Sequence, residues 1–325
     1  MLKACVRLEY YTGRKYEMKR VALIGLGAIG AYFYWGLQSK QDVELIVIAD
    51  GDRADRLKNV GITINDVRYD VNVRTAGEAS AEAPVDLVLV ATKYGALRSV
   101  LPDIRTLTSE KTIVLSLLNG IDSEDILAEV IPEERILHSL MMISSRRCGQ
   151  TVTFDPVLTE GVYYGDKNSR VPTEKTEFVD RILDGSDVKH TYVSDIIAKQ
   201  WEKFVINCGG NLPQAVFGVG TGAYGDSEHV NFISEMLWEE ARAIAAAKGI
   251  SIREYPFREN RRNVPDATRW STLQDLDDGR HTEIDMFSGA VMRMGEELGI
   301  PVPYHTYTYH AIKALEEKND GKFNY

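Results

Sequence analysis

The stretch V-A-L-I-G-L-G-A-I-G-A-Y-F, residues 21–33, constrains this chain more than any other. An apolar run turns through glycines straight into a helical pattern. Gly25, Gly27 and Gly30 form G-x-G-x-x-G. The first glycine permits a tight turn, the second lets a pyrophosphate approach the backbone, and the third lets the helix pack on the strand. The new helix then points its free N–H groups at the phosphates. The loop Gly25, Leu26, Gly27, Ala28, Ile29 and Gly30 is therefore a candidate dinucleotide site. A glycine-rich turn with no ligand is the plain alternative. Context favours the ligand: the run V-E-L-I-V-I-A-D ends on Asp50, twenty residues past Gly30, where an acid can accept from a ribose hydroxyl. An acid in that place also serves as an ordinary helix cap.

Past Asp50 the chain alternates in kind. V-D-L-V-L-V-A-T-K and T-I-V-L-S-L-L-N-G are continuous apolar runs, as strands covered on both faces should be. Helical stretches such as R-A-D-R-L-K separate them, which predicts a parallel, doubly wound α/β sheet. I-T-I-N and Y-D-V-N-V read as a small hairpin, and Q-T-V-T-F with G-V-Y-Y-G as an antiparallel extension of the main sheet. From about Asp195 the period becomes helical. Asp226-Ser227 offers an N-cap to one long helix. Ile284, Phe287, Val291, Met294 and Leu298 recur at helix spacing and predict another, stopped by Gly299 and Pro301. The expected organisation is an extension over residues 1–17, a Rossmann-type dinucleotide-binding domain over 18–194 and an all-α domain over 195–325.

Lys and Arg number 38 against 48 Asp and Glu, a net charge of −10. That balance argues against a nucleic-acid backbone or an anionic membrane as the main partner, so an anionic ligand has to be held by a few placed donors. The three cysteines, Cys5, Cys148 and Cys208, have no ligand-like spacing. A zinc site is not expected, and a reducing, cytoplasmic setting is. No apolar run approaches membrane-spanning length.

The residues with chemical potential fall after the two apolar runs and in the helical half. Lys93 ends one run and Asn119-Gly120 the next, and ligands of such sheets bind outside the carboxyl ends of the strands. W-E-K-F-V-I-N-C-G-G-N, residues 201–211, places Lys203, Asn207 and Asn211 four apart on one face of a largely apolar helix. Lys203 can donate a proton or stabilise a negative oxygen. The two asparagines can orient a polar substrate without adding charge. Gly209-Gly210 weaken the helix, which implies that a ligand or another backbone comes close. S-T-L-Q-D-L-D-D-G-R-H-T-E-I-D, residues 271–285, adds Ser271, able to donate to a carboxylate, and Glu283, which a first-turn capping role would equally explain. Nothing in the sequence pairs a histidine with an aspartate for hydride chemistry.

In this order and spacing, G-L-G-A-I-G, the Lys of A-T-K-Y, the Asn-Gly of L-L-N-G, W-E-K-F-V-I-N-C-G-G-N and S-T-L-Q-D…G-R-H-T-E-I-D resemble the ketopantoate reductase (2-dehydropantoate 2-reductase) family, from Met18 to about Lys318. The resemblance implies a Rossmann domain joined to a helical domain like that of 6-phosphogluconate dehydrogenase, with the active site between them. It implies reduction of a 2-keto acid, 2-dehydropantoate, on the way to pantothenate and coenzyme A. Carried over by position, Lys203 matches the general acid, and Lys93 and Asn119 match residues beside the nicotinamide and substrate. Asn207, Asn211 and Ser271 match substrate contacts, and Glu283 an acid supporting both lysine and substrate. The chain departs from the family at Asp50, where a basic residue is common, at F-S-G after T-E-I-D, and in the glycine-rich stretch after Asn211. The resemblance implies NADPH; the charge of Asp50 leans to NADH. A related 2-keto or 3-hydroxy acid dehydrogenase and a non-catalytic dinucleotide sensor are the rival readings, the second opposed by Lys203 and Glu283. Apolar faces on the late helices would permit a homodimer.

Overall fold

The computed structural model describes residues 18–252 and 264–325. The extension expected over residues 1–17 lies outside them. The strands are β1 Lys19–Ile24, β2 Val43–Ile48, β3 Ile62–Ile64, β4 Val67–Tyr69, β5 Val73–Arg74, β6 Leu87–Val90, β7 Ile113–Ser116, β8 Ile136–Met142, β9 Ser145–Cys148, β10 Thr151–Phe154, β11 Gly161–Gly165 and β12 His190–Tyr192. The main sheet runs β12-β11-β8-β7-β6-β1-β2-β5. From β8 through β7, β6, β1 and β2 to β5, each strand pairs parallel with the next. β11 joins β8 antiparallel. Both faces are covered, so residues pointing either way from the central strands are apolar. Val21, Leu23, Leu87 and Leu89 enter one core, and Ala22, Ile24, Val88 and Val90 the other.

A hairpin is present as β3 and β4, turning through Asn65 and Asp66 at φ 46 and 66, but its second arm is V-R-Y and not the expected Y-D-V-N-V, whose Val73 enters β5 at the edge of the main sheet. A second assignment is corrected as well. G-V-Y-Y-G does extend the main sheet, but Q-T-V-T-F does not. It forms β10, which pairs parallel with β3 and antiparallel with β9 in a separate sheet ordered β4-β3-β10-β9. The helix Ala28–Leu37 packs beneath it, and Tyr32 and Trp35 meet Phe154 edge to face.

The helical region comprises Ile196–Phe217, Glu228–Ala247, Ser271–Asp277, Ser288–Leu298 and Pro303–Asn319, with shorter turns between. Its core is built on Trp201, Phe204, Val205, Cys208 and Leu212 from the first of these. Ser227 caps the second by accepting from the Val230 N–H. Gly209 answers the question its sequence raised: a Cβ there would lie 3.1 Å from the Ser234 carbonyl. Ser234 also donates to the Gly209 carbonyl at 2.7 Å, so a neighbouring helix, not a ligand, comes close. Helix Ile196–Phe217 is also tied to the sheet. Gln200 donates to Glu124 at 2.9 Å and to the Ser139 carbonyl at 2.8 Å, all three buried. That anchor lies just under one turn before Lys203. Among the described residues no helix is long and apolar enough to cross a membrane.

Candidate active site

The glycine loop folds as its spacing requires. Gly25 has φ +94, and a Cβ on it would stand 2.6 Å from the Ala91 carbonyl. A Cβ on Gly30 would stand 2.0 Å from the Gly25 carbonyl. Gly27 is different: no protein atom comes nearer than 3.9 Å to where its Cβ would be. The two outer glycines are needed by the fold, and the middle one keeps a gap open. Gly27 also caps the following helix without a side-chain hydrogen bond, which leaves the first N–H groups for a ligand. Thr92, beyond β6, holds a buried hydroxyl with no partner among the described residues. These features fit a dinucleotide phosphate. Asp50 stands at the N-cap of the helix Gly51–Val60, is exposed, and makes no capping bond, so the capping alternative has no side-chain contact behind it.

Lys93 and Asn119 each lie three residues beyond adjacent parallel strands, β6 and β7, and so emerge side by side over the sheet's carboxyl edge. From the other side, helix Ile196–Phe217 brings Lys203. Its ammonium donates to Asn119 Oδ1 and to the Met141 carbonyl, both at 2.6 Å. Burial pushes the Lys203 pKa down to about 8, and Glu283 pulls against that shift. An ammonium has three N–H donors. Two are held by the protein, and the third is available to a substrate oxygen.

Glu283 does not sit in a helix first turn, as the periodicity had implied. The helix starts at Ser288, and Glu283 opens an irregular turn before it, accepting with its main-chain carbonyl from Met286 at 3.0 Å. The apolar spacing continues through that turn because Ile284, Met286 and Phe287 are all buried. The carboxylate instead accepts from the Tyr94 N–H at 3.0 Å and lies 3.6 Å from Lys93 Nζ. Lys93 also donates to Asp275 at 3.1 Å. Loss of hydration lowers the Lys93 pKa, but Glu283 and Asp275 outweigh it and leave it raised. Lys93 therefore spans the cleft rather than standing free beside it. Tyr94 and Arg293 both donate to Asp122, at 2.7 and 2.8 Å, and close the same seam.

Asn207 and Asn211 follow Lys203 along its helix and are buried, at 9% and 4% exposure. Asn211 Oδ1 is buried without a partner among the described residues. Ser271 begins the helix Ser271–Asp277 and is exposed; Asp275, which holds Lys93, lies one turn later on the same face. Ser288, the serine of F-S-G, bonds the buried ring of His305 at 2.9 Å and belongs to the helical core. A histidine–aspartate pair does exist, His281 with Asp320 at 3.0 Å, on an exposed face. The Met141 carbonyl could not be anticipated, since a backbone acceptor leaves no mark on residue type. Asp275 was present in S-T-L-Q-D but had no signal to separate it from its acidic neighbours.

Two family models cover most of the chain: ketopantoate reductase PanE/ApbA over residues 21–161, and the corresponding C-terminal model over residues 195–316. The chain belongs to the ketopantoate reductase family. Among curated relatives, the 2-dehydropantoate 2-reductase of Streptococcus pyogenes is 27% identical over 91% of this chain and 97% of its own length. A ketopantoate reductase family structure from Ralstonia eutropha superposes with TM-score 0.78 at 25% identity, covering 93% of this chain and 99% of that one. D-mandelate dehydrogenase with NADH superposes at 0.80 with 23% identity, covering 93% and 99%. The last likeness is one of fold.

Proposed function

We propose that this chain reduces 2-dehydropantoate to pantoate with a reduced nicotinamide dinucleotide. Residues 18–194 act as the cofactor half and 195–325 as the substrate half. The observation that carries the reading is the partly buried Lys203, held on two sides and left with one N–H free at the sheet's carboxyl edge. A dinucleotide held by the glycine loop would supply the hydride that the keto carbon takes up. Lys203 donates to the keto oxygen, stabilises the negative charge that develops there and delivers the proton that completes the hydroxy acid. A pKa near 8 suits that task at neutral pH, because the ammonium form predominates and still gives up its proton readily. Asn119 and the Met141 carbonyl fix its direction. Glu283 accepts from the substrate's distal hydroxyl while holding Lys203 charged. Asn207 and Ser271 receive the carboxylate end as donors without placing a second full charge beside it, while the unpaired oxygen of Asn211, able only to accept, faces the substrate's hydroxyl.

The fold is shared with a mandelate dehydrogenase, so the side-chain pocket and not the architecture selects the keto acid. The test is a panel of 2-keto acids with the purified protein, following nicotinamide absorbance. The highest kcat/KM is expected for 2-dehydropantoate. A roughly tenfold higher value for another keto acid would assign a different substrate. Cofactor binding with no turnover on any keto acid would leave the sensor reading standing instead.

The orphan oxygen of Asn211 gives a smaller prediction. If it accepts from substrate, Asn211→Ala should raise KM by roughly fivefold, the loss of one neutral hydrogen bond worth about 1 kcal/mol, with kcat little changed. An unaltered KM would remove Asn211 from the pocket.

A further inference from the structure

The joint that carries Lys203 is itself held by a buried polar chain. Glu124, on the helix Ser123–Ala128, is 3% exposed, and among the described residues no cation pairs with its carboxylate. Neutral donors hold it instead. Gln200 Nε2 donates to Oε1 at 2.9 Å, Ser123 Oγ to Oε2 at 2.7 Å, and the Ser139 N–H to Oε1 at 3.4 Å. The Ser123 proton is spent on the carboxylate, so Ser116 is the donor in the 2.7 Å bond between the two serines. A buried carboxylate met only by neutral donors fixes their geometry, because each lost donor leaves it poorly solvated. This chain reaches both ends of the bond between Lys203 and Asn119. Ser116 closes β7 and Ser123 opens the next helix, so their bond staples the base of the turn that bears Asn119. Glu124 carries the staple across to Gln200, three residues before Lys203 on the helix Ile196–Phe217. Gln200 also donates to the Ser139 carbonyl at 2.8 Å, and Lys203 to the Met141 carbonyl two residues on. The two side chains share a helix face and grip alternate carbonyls of β8.

We propose that Gln200 and Glu124 are positioning residues that aim the Lys203 ammonium, by locking its helix to β8 and to the turn bearing Asn119. The proposal rests on the reading of Lys203 as proton donor. Both side chains are buried and spent on these bonds, so they act through Lys203 and not on the substrate. A displacement of about 1 Å in a placed group costs up to roughly 10²-fold in rate, so a joint this close to the lysine bears on turnover. The rival role is plain adhesion between the two halves of the chain. Adhesion would change stability, and it would not act through one lysine.

A double-mutant cycle separates the two. Steady-state kinetics with 2-dehydropantoate, thermal melts and fluorescence titration of the reduced cofactor would be run on Gln200→Leu, Glu124→Gln and Ser123→Ala. Gln200→Leu and Ser123→Ala would each also be combined with Lys203→Ala. Gln200→Leu should lower kcat roughly tenfold, with KM and the cofactor Kd within about twofold of wild type. Glu124→Gln keeps an oxygen for Gln200 and turns its amide to Ser123, whose hydroxyl rotates to accept. It should therefore stay within a factor of about three of wild type. In the Lys203→Ala background Gln200→Leu should cost nothing further, since no lysine is left to aim. A tenfold loss in both backgrounds, or a Gln200→Leu kcat within about twofold of wild type, would overturn the proposal. So would a Glu124→Gln variant as impaired as Gln200→Leu. Ser123→Ala removes a single oxygen and keeps the test open if Gln200→Leu fails to fold. Its smaller loss, roughly threefold, should likewise vanish beside Lys203→Ala, and its persistence there counts against the proposal. Lys203→Ala turning over like wild type would overturn the proposal together with the reading beneath it.

Discussion

Lys203→Ala is expected to lower kcat by roughly 10²-fold or more while leaving the Kd of the reduced cofactor nearly unchanged. A placed proton donor contributes on that scale, and so does a single donor to a developing oxyanion. Lys203 does both in the proposed reaction. The cofactor loop is built from β1 and the helix Ala28–Leu37, whereas Lys203 arrives from the helical region. The two measurements therefore separate. The wild-type pH profile supplies an independent check. Reduction needs the ammonium, so kcat/KM should be level at low pH and fall as pH rises through about 8, where Lys203 loses its proton. Oxidation of the hydroxy acid needs the free amine and should rise across the same range. Steady-state kinetics in both directions, with circular dichroism to confirm folding, decide the matter. Turnover of the alanine variant within a factor of about three of wild type would take Lys203 out of the chemistry.

Much of this architecture is legible in the chain itself, for identifiable reasons. Gly25 and Gly30 are dictated locally, since each sits where a Cβ would strike backbone, and such positions tolerate only glycine. The parallel strands are legible because burial on both faces forces continuous apolar runs. Lys203, Asn207 and Asn211 stand out because polar residues at helical spacing in an apolar segment need partners. The features that escape a linear reading depend on contacts between distant parts of the chain. Thr151 pairs with Thr63, and four alternating residues fit an edge of either sheet, so the pattern alone does not tell which sheet β10 joins. A buried turn and a buried helix leave the same apolar spacing, so the spacing predicts a helix already under way at Glu283, whereas it begins at Ser288. Arg147 has no local signal at all. Its place over the glycine loop comes from β9 folding back to the Leu26 carbonyl.

Glu283→Gln should cost about 10- to 10²-fold in kcat/KM and shift the pH profile, for two connected reasons. A hydrogen bond to a charged group is worth about 1.5–3 kcal/mol, and the amide keeps the shape but not the charge. The substrate's hydroxyl and the cluster of Lys93 and Tyr94 both lose a carboxylate acceptor. The electrostatic consequence has a definite sign. Burial lowers the Lys203 pKa and Glu283 raises it, so removing the carboxylate leaves burial less opposed. Lys203 should then deprotonate below its wild-type value of about 8. The falling limb for reduction moves to lower pH, and the rising limb for oxidation moves the same way. Lys93 keeps Asp275 as a partner and is expected to stay charged throughout, so the shifted limb reports on Lys203. Glu283→Asp, which restores the charge with a shorter reach, should recover most of the pH limb but less of KM. An unshifted limb in Glu283→Gln, with KM also unchanged, would reduce Glu283 to a structural acceptor for the Tyr94 N–H and leave the lysine to be tuned by burial alone.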